Sequence, residues 1–374
     1  MRDYLNKGQA LYFSFPIDGD CVNVRDGVAL TDGVRIPVSV IAPEKHKIEV
    51  SGVSARYENG AYRAYADITA RETTLVARDL TDGTSASVRV FYLPNATGGY
   101  RLSSDDNILF LWDINEHKDE YNSIFDNPYL AVYKKAHDLY GAKAHLNLFY
   151  EFDEAAAKYF AADRPYFNLS MMTDKFRDEF RANADWLKFS FHAKHEHPMK
   201  PYQFAEGEVV RADCEQIHTE ILRFAGEECL SDCTTVHFGE ANEECARVLR
   251  SLGYRAMTGY FLPDEFCPVA YYAPDELIRH IYDRDFWYDT DTDIMFGRID
   301  VVVNLRTHEE NMQIVREIMS SPTRGGFVSV MIHEQYFYED YRKYLPDFEA
   351  RVLEPCKLLA ENGYVGTHIM EAIG

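Results

Sequence analysis

The chain has 374 residues, enough for two domains of ordinary size. Its 39 basic and 61 acidic residues leave a net charge of −22, a field that repels phosphate backbones and argues against a nucleic-acid partner. No apolar run is long enough for a helical membrane span, so no membrane partner is expected.

Other compositional features narrow the reading further. The seven cysteines are odd in number and form no CxxC pair, which argues against a disulfide framework or a zinc knuckle. The first residues lack the charged-then-apolar pattern of a signal peptide. A cytoplasmic protein is expected as the sequence stands, or an extracellular one if a leader has been removed. Aromatic residues reach 14%, compatible with stacking against sugars as well as with an aromatic core.

Residues 1–98 read as an all-β module. Short alternating runs such as 34–40, 61–66 and 86–92 are separated by Asp-Gly and Asn-Gly pairs that supply tight turns. A β-sandwich is predicted. Residues 95–99 read as a linker, and beyond it the rhythm changes to strand, helix, strand, helix.

A first strand is predicted over 108–113, ending in Asp113. Asn127-Pro128 opens a helix that Gly141 closes. Strands follow over 144–149 and 186–191, then a long amphipathic helix over 208–225 with Val210, Cys214, Ile217, Ile221 and Phe224 on one stripe. Further strands are predicted over 234–238, 254–260, 300–305 and 327–332. Thr307 with Glu310 makes a capping box for the helix between the last two. Alternation of this kind predicts a parallel sheet, closed or nearly closed into a (β/α) barrel over residues 104–374, with a doubly wound open sheet as the alternative.

In such folds the chemistry gathers at the C-terminal ends of the strands. The predicted strand ends present Asp113, His192, His237 and the pair His333-Glu334. The densest cluster is His192-Ala193-Lys194-His195-Glu196-His197. His192 and Glu196 have the spacing of one helical face, and imidazole and carboxylate are the donors a divalent ion needs. His195 and His197 are further candidates, and a solvated polar loop is the plain alternative. No P-loop, GxGxxG, GxSxG or HExxH signature is present.

The order of these pieces resembles the polysaccharide deacetylase superfamily. That family has a strand ending TFDD, a strand ending HSxxH or HTxxH, an Arg-Pro loop and a strand ending LxLH. The matching stretches here are FLWD ending at Asp113, SFHAKHE carrying His192 and Glu196, VHFGEAN at His237, and VMIH at His333. The stretches IFDNP and IHEQYFY resemble a bacterial branch, and residues 47–93 resemble the immunoglobulin-like modules appended to carbohydrate-active proteins.

The resemblance implies a distorted (β/α) barrel and a divalent metal, zinc first, held by Asp113, His192 and Glu196. It implies His333 as general acid, with Glu334 orienting it, and a carbohydrate or related polar substrate. It also implies two adjacent aspartates, one base and one ligand, whereas Asp113 is followed by Ile114. A metal-dependent hydrolase is therefore expected, with a non-catalytic carbohydrate-binding protein on a decayed scaffold as the alternative.

Overall fold

The computed structural model describes residues 3–374. The N-terminal region is built from strands, as its alternating pattern dictates. A five-stranded sheet centred on Gly33–Ile41 and Ala61–Ile68 packs on the strands Ser85–Tyr92, Glu72–Asp79 and Ile48–Val50. Val34, Ile36, Val38 and Val40 on one sheet and Leu75, Ala77, Val88 and Val90 on the other share a single core. Period-two burial along Ala61–Ile68 is the signature of a strand with one wet face.

This second layer continues into the rest of the chain. It is one nine-stranded sheet that runs from the N-terminal strands through Asp20–Val22 to Phe286–Asp289, Ile294–Arg298, Ala256–Gly259 and Cys233–Thr234. The junction is tight: Tyr288 N–H donates to the Gly19 carbonyl at 2.8 Å. Gly19 has φ +89°, and a Cβ there would fall 2.1 Å from the Tyr288 carbonyl oxygen, so the crossing requires glycine. Asp20 is fully buried beside it and accepts from His280 Nε2 at 2.6 Å and Ile17 N–H at 2.9 Å.

The α/β part has a second, six-stranded sheet. Its parallel strands run in the order Leu187–Ala193, Ala144–Phe149, Gly99–Asn107, Phe327–His333, Val301–Val302, with Val365–Gly366 also on Gly99–Asn107. At one end of this sheet Phe189 bridges Leu230 and Phe191 accepts at its carbonyl from the Thr234 hydroxyl of the nine-stranded sheet; at the other, Ile294–Arg298 of that sheet runs on directly into Val301–Val302. Facing side chains meet across the gap, where Arg101 Nη1 reaches Thr258 Oγ1 at 3.3 Å. Helices Pro128–Tyr140, Gly207–Phe224, His308–Ser320 and Phe348–Glu361 each bury apolar residues in the core of this part. The stripe predicted on the second of these is buried, and the Thr307–Glu310 capping box is present.

Three expectations are corrected. Residues 108–113 are not a strand: Leu109–Glu116 is a helix. The central strand is Gly99–Asn107, in the stretch expected to lead out of a linker. A short, wholly apolar run has no period that separates a buried strand from a buried helix, and Leu109, Phe110, Leu111 and Ile114 are all buried. The predicted strand over 234–238 is only Cys233–Thr234, followed by a 3₁₀ turn, His237–Gly239. The antiparallel pair Phe286–Asp289 and Ile294–Arg298 was not anticipated.

All seven cysteines are free thiols. Among the described residues, no helix is long and apolar enough to cross a membrane.

Candidate metal centre

The C-terminal end of the six-stranded sheet carries the polar groups. The Gly99–Asn107 strand ends in two adjacent carboxylates, Asp105 and Asp106. In a regular strand neighbours point to opposite faces. Here the pairing with Ala144–Phe149 slips between Ser104 and Asn107, and Asp106 sits at φ +61°, a left-handed conformation that a short polar side chain tolerates. Asn107 Nδ2 holds this bulge by donating to the carbonyls of Ser104 at 2.7 Å and Asn147 at 3.0 Å.

Asp106 Oδ1 meets two imidazoles. It lies 3.0 Å from His192 Nε2 and 3.4 Å from His237 Nδ1. Asp106 Oδ2 accepts from Gln335 Nε2 at 2.7 Å. The outer nitrogens of both rings are committed: His192 Nδ1–H donates to the Thr235 carbonyl at 2.5 Å and His237 Nε2–H donates to the Glu196 carbonyl at 3.0 Å. Backbone carbonyls accept only, so they fix each ring's tautomer. The inner nitrogens, His192 Nε2 and His237 Nδ1, are then bare lone pairs facing a carboxylate oxygen. One ligand atom from each of the three residues lies within 4.8 Å of the others. Phe149 packs against both rings, with centroids 5.1 and 5.0 Å away, and dries the site.

Three acceptors converging in a dry place could hold a cation, and two nitrogens with one oxygen are a donor set that suits zinc and related divalent ions. Without a metal, a proton fills the gap. Burial alone would lower the His192 pKa, but the charges of Asp105 and Asp106 hold it above the ordinary value. Burial holds His237 below it, despite Asp106. Burial also works against the Asp106 charge, yet its contacts with the His192 and His237 rings hold this carboxyl well below the usual range.

The other expected residues are placed as follows. Asp113 lies within the Leu109–Glu116 helix, and its carboxylate accepts from Tyr121 Oη at 2.9 Å and Asn127 Nδ2 at 2.7 Å, away from the two histidines. The segment after His192 is not helical, so the spacing to Glu196 does not create a shared face. The Glu196 side chain instead lines a narrow cleft with Asp106, Phe149, Tyr159, Gln335 and Tyr341. Its carboxyl is pushed up to about 8 by burial and then by the charge of Asp106. His195 lies 3.9 Å from Glu151, and His197 Nε2 bonds Tyr159 Oη at 2.7 Å; neither joins the group of three.

His333 is the register partner of Asp105 on the adjacent strand. Its Nδ1–H donates to Asn304 Oδ1 at 3.0 Å. Glu334 does not orient it. That side chain turns into the core and accepts from the N–H groups of Ile108, Leu109 and Phe110 at 2.6, 2.9 and 2.6 Å, and from Tyr338 Oη at 2.7 Å. It is the N-terminal cap of the helix that carries Asp113.

The sequence reading missed Asp105 and Asp106. The signal was present: two adjacent carboxylates close a run of residues following a Gly-Gly turn, which matches the strand-plus-DD pattern better than FLWD does.

No family model matches the sequence, and no curated protein matches it. Among solved structures, the chain is similar to a mutant of a CE4 family pseudoenzyme with restored enzymatic activity. The two share 12% identity over 79% of this chain and 79% of that one, with a TM-score of 0.34. It is also similar to a candidate alpha-galactosidase from Bacteroides fragilis NCTC 9343, with 9% identity, 89% and 76% coverage, and a TM-score of 0.24. Both superpose only in part.

Proposed function

We propose that this chain is a divalent-metal-dependent hydrolase of the polysaccharide deacetylase type, acting on an acylated carbohydrate or a related polar substrate. The observation that carries the proposal is the convergence of His192 Nε2, His237 Nδ1 and Asp106 Oδ1, with both outer ring nitrogens tied to backbone carbonyls. In this proposal these three residues hold the ion, zinc first. The chemistry such an ion supplies is Lewis acidity toward an acyl carbonyl and a water of lowered pKa.

The protein's own groups complete the scheme. Asp105, buried beside the ligands, takes the proton of the attacking water. His333 acts in the scheme as the imidazolium: its Nδ1–H stays on Asn304, its Nε2–H gives its proton to the leaving group, and the ring is left neutral. Glu196 and the aromatic side chains of the cleft face the substrate. The Thr234–Phe191 hydrogen bond at one end, the direct run of Ile294–Arg298 into Val301–Val302 at the other and the Arg101–Thr258 contact across the gap support a distorted (β/α) barrel, and the shared core of the N-terminal sheets supports an immunoglobulin-like sandwich before it.

The non-catalytic alternative rested on a missing second aspartate, and the adjacent pair Asp105-Asp106 removes that ground. The position four after His192 still departs from the family pattern, since it holds Glu196. In the scheme His237 supplies the third ligand in its place.

The test is turnover of 4-nitrophenyl acetate by zinc-loaded protein. Asp105→Asn should retain zinc and lose turnover. A wild-type chain that retains no divalent metal after dialysis at neutral pH would overturn the proposal.

A further inference from the structure

Beneath the metal centre lies a guanidinium with no carboxylate among its hydrogen-bond partners. Arg101, on the Gly99–Asn107 strand, is 1% exposed. It donates to Thr258 Oγ1 at 3.3 Å, Ser329 Oγ at 3.4 Å and His145 Nδ1 at 2.8 Å. A buried charge held only by neutral groups is costly unless a counter-charge is reached through them.

The hydrogen bonds leading from Arg101 have a determined direction. Arginine only donates, so His145 Nδ1 must accept, and the ring proton sits on Nε2. His145 Nε2–H therefore donates to Ser190 Oγ at 2.8 Å. The Ser190 hydroxyl in turn donates to Asn147 Oδ1 at 2.5 Å. The orientation of that amide is fixed independently, because Thr235 N–H also donates to Asn147 Oδ1, at 3.2 Å. Asn147 Nδ2 then faces Asp105 and donates to Oδ1 at 2.5 Å. Every link points the same way, from a cation to a carboxylate. All five residues are buried, at 3% exposure or less, where such chains polarise one another.

We propose that Arg101, His145, Ser190 and Asn147 form a one-way hydrogen-bonded relay that positions Asp105 beside the metal ligands, with Arg101 as its remote counter-charge. The inference rests on the hydrolase proposal for the role of Asp105, but the direction of the relay does not. The four are positioning residues, since none of their side chains hydrogen-bonds to Asp106, His192 or His237. A neutral His145 agrees with the geometry: burial, followed by the charge of Arg101, holds its pKa well below the ordinary value.

Two measurements on the full chain test this. The first is long-range proton–nitrogen NMR of the ¹⁵N-histidine-labelled protein at neutral pH, with His145 assigned by His145→Gln. The expected ring is neutral and carries its proton on Nε2. A proton on Nδ1, or a doubly protonated ring, would overturn the relay, because Arg101 cannot accept. The second cuts the relay midway with Ser190→Ala and repairs it with Ser190→Thr. Zinc content should be unchanged in both. For 4-nitrophenyl acetate, kcat should fall on the order of 10²-fold in Ser190→Ala at constant KM, the loss expected when a reacting group is misplaced. Ser190→Thr should restore it. Full kcat in Ser190→Ala with wild-type turnover present would overturn the positioning role. No turnover in the wild type would sink the hydrolase proposal instead, and the NMR result would still decide the relay.

Discussion

His237 Nδ1 lies 3.1 Å from His192 Nε2, and each is the nitrogen left bare after its ring has donated to a backbone carbonyl. Two lone pairs held this close repel unless something positive lies between them or one of them is protonated. Asp106 Oδ1, 3.0 Å from His192 Nε2, adds a third acceptor to the same point. A proton on His192, favoured by the charges of Asp105 and Asp106, meets this need, and a divalent cation would take that proton's place.

That geometry separates ligands from bystanders. His192→Ala, His237→Ala and Asp106→Asn should each strip most of the zinc from dialysed protein, read by elemental analysis. Asp113→Asn should keep it, because Asp113 is engaged with Tyr121 and Asn127. Zinc loss in Asp113→Asn alone would restore the assignment made from the sequence.

Glu334 should matter for stability. Its carboxylate satisfies three N–H groups at the start of the Leu109–Glu116 helix and the hydroxyl of Tyr338. In Glu334→Gln the amide's own donors face some of these groups. A loss of about 1.5–3 kcal/mol is expected, the range for buried hydrogen bonds to a charged partner. Urea denaturation reads it as a lower midpoint, and zinc content should be unaffected in the folded protein.

Asp20 ties the N-terminal sheets to the α/β part and predicts a pH dependence. Burial pushes its carboxyl up, but the charges of His280 and Arg284 outweigh this and hold it below the usual range. A depressed carboxyl contributes stability above its unfolded value, and that contribution is lost as pH falls through the folded one. Wild type should therefore melt well above Asp20→Asn at neutral pH. The gap between the two melting temperatures should close as pH drops below ~4, the region where a free aspartate protonates. A gap that stays constant down to acid pH would show that Asp20 contributes through shape and not charge.

Limited chymotrypsin digestion should leave residues 97–104 intact. Gly98 N–H donates to the Gly326 carbonyl at 2.7 Å, and the strand that follows is paired on both edges. Cleavage should begin at Phe204 or Phe266, which are 90% and 95% exposed. Early cutting beside Tyr100 would contradict the pairing of that strand.

Much of this was legible from residue order. The alternating runs of the first hundred residues, the stripe of Val210, Cys214, Ile217 and Ile221, and the cap made by Thr307 and Glu310 are local patterns, set by chain periodicity and by groups a few residues apart. His192 and His333 could be placed at strand ends for the same reason. Only the tertiary structure decided which carboxylates join them. Residues 108–112 are apolar throughout, so nothing local distinguishes helix from strand there, and the helix is capped by Glu334 from more than two hundred residues away. The choice of Asp106 over Asp113 depends on a bulge held by Asn107 and on pairing with a strand some forty residues later. The inner nitrogens of His192 and His237 are bare because carbonyls of Thr235 and Glu196 take the outer protons, and those contacts exist only once the strands lie side by side.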